Sequence, residues 1–418
     1  MRVFAAAAVL LVLFVLPAAG QWAGEERDVD GVTHVLNPGE PMLAPQTVEL
    51  TEMWRLGGYS DAPEEFFGVI SDIVADEENN FYVVDAQLSE VRVFDQSGAY
   101  VNTIGREGEG PGEFRMPVDL NIMPDGTIGV VQPRPSKLIQ LTKMGDPAGD
   151  YSITVSGEGF VNMQSVTTVG DNLAVVYGLG NFDRKTQTFT RSVRLGVFDL
   201  EGNELSELTS AVASSGSNTE VYREIDWTNF ERAWSAAREG TIAARTSLTN
   251  YEVTVWNADG TTRHVVEVER PLVARTSEYI EAREARWEAS IRRWVQDAEF
   301  DILPNHYPVQ DVHVREDGTM WVRSAEGTHA RPDGALASFD VFDAAGRYER
   351  QLTMNGQFDP EADGLFVSGA YLLVVTDLQS AREAAMGGVE GDDVDADAEP
   401  MEIICYRMEL APLAQADK

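Results

Sequence analysis

Few residues in this chain stand at spacings that could do chemistry. Its five histidines are His34, His264, His306, His313 and His329. A catalytic zinc site needs about three nitrogen or oxygen ligands converging on the metal, and the chain has no H-E-x-x-H pair to begin one. It also has no G-x-S-x-G nucleophile elbow and no lysine closing a glycine-rich phosphate loop. Cys405 is the only cysteine, which excludes an intrachain disulfide and a thiolate metal cluster. Set in the apolar run "MEIICYRMEL", it reads as core filler. The stretch Gly105–Phe114, "GREGEGPGEF", has the glycine content of a phosphate cradle. Glu107, Glu109 and Glu113 would repel phosphate, however, and the following "MPVDLNI" reads as a strand, whereas a cradle needs a helix N-terminus. "GDDVDADAEPMEI" starts like a calcium loop through Asp393, Asp395 and Asp397. Ala398 and Glu399 stand where that loop requires glycine, so a solvated acidic loop is expected.

Charge narrows the partners. The chain carries 32 basic and 69 acidic residues, a formal charge of −37. Such a field repels nucleic acid and anionic membranes, both of which select a basic footprint. Only four basic residues are lysines: Lys137, Lys143, Lys185 and Lys418. The N-terminus, "MRVFAAAAVLLVLFVLPAAG", has one Arg, an apolar run from Val3 to Leu16 and small residues at Ala18 and Gly20. It reads as a secretory signal peptide over residues 1–20, cut near Gly20. The run is shorter than the roughly 20 residues of a spanning helix. The expectation is a secreted or periplasmic protein without a membrane span after cleavage.

The elements form a repeat. A turn residue followed by a short apolar run recurs as "NNFYVVD", "DGTIGVV", "DNLAVVY", "EGTIAAR", "DGTMWVR" and "SGAYLLVV". Turn residues before such runs are hairpin signals. The second turn residues, Asn80, Gly126, Asn172, Gly240, Gly318 and Gly369, are separated by 46, 46, 68, 78 and 51 residues. A second motif follows in register, as in "VRVFDQSG", "LIQLTKMG" and "FDVFDAAG", with a further short run on either side. Six units of four short strands are the signature of β-propeller blades. The sixth unit ends after three strands, and "QTVELTEMWRLG" (46–57) is placed to supply its fourth and close the ring. That removes an open sheet edge.

From Ile70 to Val131 the pattern "NFYVVD…VRVFDQSGAYVNTIGREGEGPGEFRMPVDL…PDGTIGVV" resembles the NHL-repeat type of six-bladed β-propeller, and it stays in register to Leu410. The resemblance implies an all-β fold and a Gly-x-Phe turn between blades, with Phe66 and Phe358 in the place of Phe114. The expected organisation is an N-terminal extension over 21–45, a propeller over 46–410 and a tail over 411–418. Tyr279, Trp287, Ile291 and Trp294 predict an amphipathic helix at about 275–300, between blades 4 and 5. Residues 211–229 read as a polar loop and 379–400 as an acidic one. In such propellers these insertions gather on one face and cover the central funnel.

The ends of the second strands are expected to ring that funnel mouth, at Asp85, Gln132, Tyr177, Arg245 and Arg323, with His306 approaching from the covering loops. Arginines in so acidic a chain suggest a small anionic ligand or an acidic group on a sugar or peptide, because guanidinium matches carboxylate, sulfate and phosphate. The competing expectation pairs Arg245 and Arg323 with Asp85 and nearby carboxylates as a plug. Amidating lyases of this fold class ring the channel with histidines, which the second strands here lack. Lactonase-like propellers hold Ca²⁺ on the axis. Asp72, Asp119, Asn121, Asp226, Asn229 and Asp311 would be the oxygen donors for such an ion. The residues favour a non-enzymatic monomer that binds a protein, a glycan or a small anion at the loop-covered face. A lactonase-like hydrolase or lyase with a divalent cation on the axis is the alternative.

Overall fold

In a computed structural model, the structure describes residues 21–157, 159–216, 221–230, 232–291, 299–385 and 400–410. The signal segment, Trp294, the Asp393–Asp397 run and the 411–418 tail lie outside them.

Each unit folds where its alternating and β-branched residues predict strands. Blade 1 runs Ile70–Ala75, Phe81–Asp85, Glu90–Phe94 and Tyr100–Ile104, as a four-stranded antiparallel sheet in chain order. Blade 2 spans Asp119–Tyr151 and blade 3 Phe160–Gly216. Blade 4 spans Trp234–Val268, blade 5 Val309–Asn355 and blade 6 Gly364–Glu409. In blades 1, 3, 4 and 5 the turn between the third and fourth strands carries an aspartate whose carboxylate accepts the N–H two residues on. Asp95 with Ser97, Asp199 with Glu201, Asp259 with Thr261 and Asp343 with Ala345 all do so at 2.8–3.0 Å. This side-chain turn is why Asp recurs there.

Ring closure is visible in the packing. Six apolar cores fill the six gaps between neighbouring blades. The core between blades 6 and 1 gathers Trp54, Leu56, Ile70, Phe81, Tyr371 and Ile403. Strand Gln46–Gly57 is the outer strand of blade 6, antiparallel to Glu402–Glu409. A fold with six equivalent interblade cores and no open gap is a six-bladed β-propeller.

Two features go beyond the sequence reading. The N-terminal extension is ordered: Glu25–Val29 and Val32–Asn37 form a hairpin that adds to the outer edge of blade 4 through Val32–Asn37. The chain then runs along blade 5, where Met42 and Leu43 donate to the carbonyls of Tyr348 and Glu349, before reaching blade 6. Residues 211–216, read as loop, continue the outer strand of blade 3. "AVASS" alternates as a strand does, and it pairs with an equally extended Thr188–Phe198.

Candidate functional site at the loop-covered face

Every first strand starts at the face that carries the connections between blades, and every second strand ends there. Three of the second-strand ends, Asp85, Gln132 and Arg245, act as latches that hold backbone where a connection enters. The Asp85 carboxylate accepts from Gly68 and Val69 N–H at 2.7 and 3.2 Å, and from Gln87 and Leu88 at 3.0 and 2.9 Å. In blade 2, Gln132 accepts from Arg115 N–H at 2.7 Å and donates to the Pro135 carbonyl at 3.0 Å. Arg245 does the same work with reversed polarity, donating to the carbonyls of Val309 (2.6 Å) and Asn229. Tyr177 turns outward and donates to Glu204 at 2.7 Å. Arg323 lies 3.5 Å from Asp311 and stacks over Phe358. The structure therefore pairs Arg323 with a carboxylate of the first strand of its own blade, while Asp85 binds backbone.

Above the axis, the two long connections fold together. Val221–Arg223 pairs in parallel with Glu299–Asp301. The short helix Glu224–Trp227 sets Glu224, fully buried, against Arg275 at 2.6 Å and Arg283 at 3.0 Å; Tyr307 O–H and Leu303 N–H also donate to it. Burial raises the Glu224 carboxyl, but Arg275 and Tyr307 outweigh it and hold the group below the ordinary carboxylate range. The Tyr307 ring is flanked by the Arg245 and Arg275 guanidiniums at 5.0 and 5.1 Å. His306 stacks on His329 with ring centres 3.6 Å apart, and Tyr279 meets His306 edge-on. Burial pushes both imidazoles down, to about 4 for His306 and about 3 for His329. Helix Ser277–Ile291 supplies Tyr279 and Arg283.

Positive charge is in surplus here. Arg275 and Arg283 share Glu224, and Arg323 has Asp311, whereas Arg245 and Arg331 donate to carbonyl oxygens. The Nε atoms of Arg245, Arg275 and Arg323 are buried without a hydrogen-bond partner. Burial lowers Arg245 to about 10. An anion would satisfy such donors, and guanidinium forks suit carboxylate or phosphate oxygens.

The axis itself is a channel of about 850 Å³, lined by first-strand residues including Asp72, Asp119, Asn121, Asp311 and His313. Asp72 accepts from Leu120 N–H at 3.1 Å and Asp119 from Val166 N–H at 2.8 Å, so each carboxylate ties its blade to the next. Burial raises Asp72 to about 6, and burial plus the Asp72 charge raises Asp119 well above its ordinary value. Burial also acts to raise Asp311, but His313 and Arg323 hold it below its ordinary value. His313 Nε2 lies 3.2 Å from Asp311 but out of hydrogen-bond alignment. Asp226 and Asn229 lie in the covering connection, away from these three carboxylates in the chain, and Asp226 pairs with Arg223. Among the described residues no three His, Cys, Asp or Glu side chains are placed to hold a metal ion.

Sequence reasoning reached Arg245, Arg323 and His306 but passed over Glu224, Arg275, Tyr307 and His329. These come from two separate connections and a helical turn with no fixed spacing between them. The one available signal was the density of Arg over 275–293, in the second insertion.

A family model described as a 6-bladed beta-propeller matches residues 63–216. No curated protein sequence matches the chain. Among solved structures, the chain is similar to a Bacteroides fragilis protein described as exported, at 12% identity and a TM-score of 0.48, covering 90% of this chain and 100% of that one. It is similar to a Xanthomonas campestris gluconolactonase at 10% identity and TM-score 0.40, covering 86% and 89%. It is also similar to the calcium-binding protein regucalcin of Agrobacterium tumefaciens, at 12% identity and TM-score 0.39, covering 88% and 98%. These likenesses are too distant to bear on chemistry. No helix among the described residues is long and apolar enough to cross a membrane. The family model and the six interblade cores agree on the fold: a six-bladed β-propeller.

Proposed function

We propose that the protein is an exported binding propeller of NHL-repeat type, whose loop-covered face holds an anionic group of its ligand. That group is a carboxylate or phosphate on a small molecule, a glycan or a peptide. One observation carries this reading: a buried guanidinium surplus with unpartnered Nε donors, in a molecule whose formal charge is −37. Unmet buried donors carry a desolvation cost that a bound anion relieves. A surplus of one sign in a covered site favours the opposite sign in its ligand.

A thermal-shift and calorimetric screen with galacturonate, citrate, inorganic phosphate and Ca²⁺ tests the reading. The expected result is a rise in unfolding temperature with at least one oxyanion, lost in Arg245→Gln. A rise with Ca²⁺ alone would instead favour the hydrolase alternative, with Asp72, Asp119 and Asp311 as the oxygen donors nearest the axis. No rise with any oxyanion would sink the anion site.

A further inference from the structure

The connection from blade 4 to blade 5 leaves the ring and returns to it through a narrow neck. His306 N–H donates to the Val273 carbonyl and Arg275 N–H to the Pro304 carbonyl, both at 2.9 Å, with Ala274 opposite Asn305 between them. Beyond this neck lies helix Ser277–Ile291. Among the described residues, none from 271 to 306 enters the six interblade cores. Segments with few buried apolar contacts open at lower free energy than core strands do. Arg286 ties the helix to the ring, reaching Glu361 at 3.6 Å and Glu383 at 4.0 Å, but all three side chains are about a third or more exposed. Such pairs contribute little. Arg283 pairs with Glu224, which belongs to the other connection rather than to a blade.

A firmer hold sits at the neck. His306 stacks on His329 with ring centres 3.6 Å apart and planes 17° from parallel, and Tyr279 of the helix meets His306 edge-on. His329 stands on a fixed support, the helical turn Ala325–His329 of blade 5. There the Ser324 side chain accepts from Gly327 N–H at 3.2 Å, and the Thr328 hydroxyl donates to the Ser324 carbonyl at 2.8 Å. The stack therefore joins the insertion to the ring. Its surroundings are cationic: Arg275 comes from the neck, and Arg323 and Arg331 from blade 5. The facing carboxylates are Glu224, which Arg275 already holds, and Glu361, 3.9 Å from His329 Nδ1. Burial first, and then His306 and these three guanidiniums, disfavours a proton on His329. Burial and Arg275 disfavour one on His306, against Glu224. A ring freed from the stack regains its ordinary proton affinity, so acid favours the open form.

We propose that the His306–His329 stack is an acid-sensitive catch: a proton on either imidazole separates the rings, the neck parts, and helix Ser277–Ile291 comes away from the loop-covered face. This goes beyond the anion site, and its test needs no ligand, so the two stand or fall separately. The two facing carboxyls do not mimic the effect between pH 7.5 and 5.0. Glu361, raised by burial, binds its proton more readily in the closed form, so acid favours closure there; Glu224, held low, titrates below this window.

Hydrogen–deuterium exchange of the mature chain at pH 7.5 and 5.0, corrected for the intrinsic pH dependence of exchange, tests the catch. One imidazole moving from about 4 in the closed form to about 6.5 in the open one shifts the opening equilibrium about thirtyfold at pH 5.0. The expected result is a loss of protection of at least about tenfold over 277–291 at pH 5.0, with strand Phe81–Asp85 unchanged. The variant His306→Phe/His329→Phe keeps two stacked rings without a titrating nitrogen and is expected to hold its protection at both pH values. Equal helix protection at the two pH values in the unmodified chain overturns the proposal, whether or not the variant folds. So does a loss that spreads equally to Phe81–Asp85, or one that the variant retains.

Discussion

Phe114 shows how one residue fixes a joint of the ring. It is fully buried in the core between blades 1 and 2, and its N–H donates to the Arg106 carbonyl at 3.1 Å. Gly105 adopts φ +71°, and a Cβ there would lie 2.1 Å from the Phe114 ring. The glycine is therefore required both by backbone conformation and by the ring that covers it. Phe114→Ala is expected to lower stability by about 3–5 kcal/mol, read as a shift in the urea midpoint. The loop that looks like a phosphate cradle is a blade joint, as its three glutamates imply. The equivalent joint before blade 1 is less legible. Of the adjacent pair Phe66 and Phe67, it is Phe67 that is buried, against Phe94 and beneath Arg92, while Phe66 is 67% exposed. Two neighbouring phenylalanines on an extended backbone point to opposite sides. Which side is inside depends on where Arg92 clamps the Glu64 and Phe66 carbonyls.

At the scale of elements, the first 37 residues of the described chain divide into two devices. Gln46–Gly57 closes the ring, with Val48 and Trp54 inside two different interblade cores. Residues 21–45 brace the outside of blades 4 and 5. Asn37 fastens this brace: its Nδ2 donates to the Gly346 carbonyl at 2.9 Å and its Oδ1 accepts from Tyr348 N–H at 2.7 Å. Arg270 helps by donating to the Gly39 carbonyl while paired with Asp340. Deleting 21–45 is expected to leave a folded propeller of lower melting temperature whose blade-4 edge is open and prone to association. Deleting 21–57 is expected to prevent folding, because the sixth blade loses a strand and two cores lose their walls. Circular dichroism melting and light scattering separate the two cases. The closing strand was legible because six repeats with one incomplete unit demand a donor. The brace was not, since its short strands gain their partner only from blade 4.

The whole molecule creates the axial channel, and with it a pH dependence no single blade would have. Asp72 and Asp119 lie in adjacent first strands, and only the closed ring sets their carboxyls in a confined channel together. A carboxyl raised to about 6, like Asp72, contributes stability that is fully present below the unfolded value of about 4. That contribution is lost as pH rises through 6. The lowered imidazoles of His306 and His329 act oppositely: the folded state loses stability as pH falls from about 6.5 toward their folded values of about 4 and 3. Asp119→Asn keeps an acceptor for Val166 N–H but removes the charge that opposes Asp72. It is therefore expected to raise the unfolding midpoint more at pH 8 than at pH 5. An equal effect at both pH values would show that the two carboxyls do not share the channel's field.

Sequence alone determined the architecture, because strand period, turn aspartates and a repeat with one strand missing are local properties that each unit states for itself. It also determined the charge, an acidic excess of 69 carboxylates over 32 basic residues. The tertiary structure decided everything that depends on residues far apart in the chain. It buried Glu224 among Arg275, Arg283 and Tyr307, turned Asp85 and Gln132 into backbone latches, and covered the outer edge of blade 4 with the N-terminal hairpin. The physical reason is that a ring brings every connection to one face. Which side chains meet there follows from packing and charge compensation across insertions whose lengths follow no repeat.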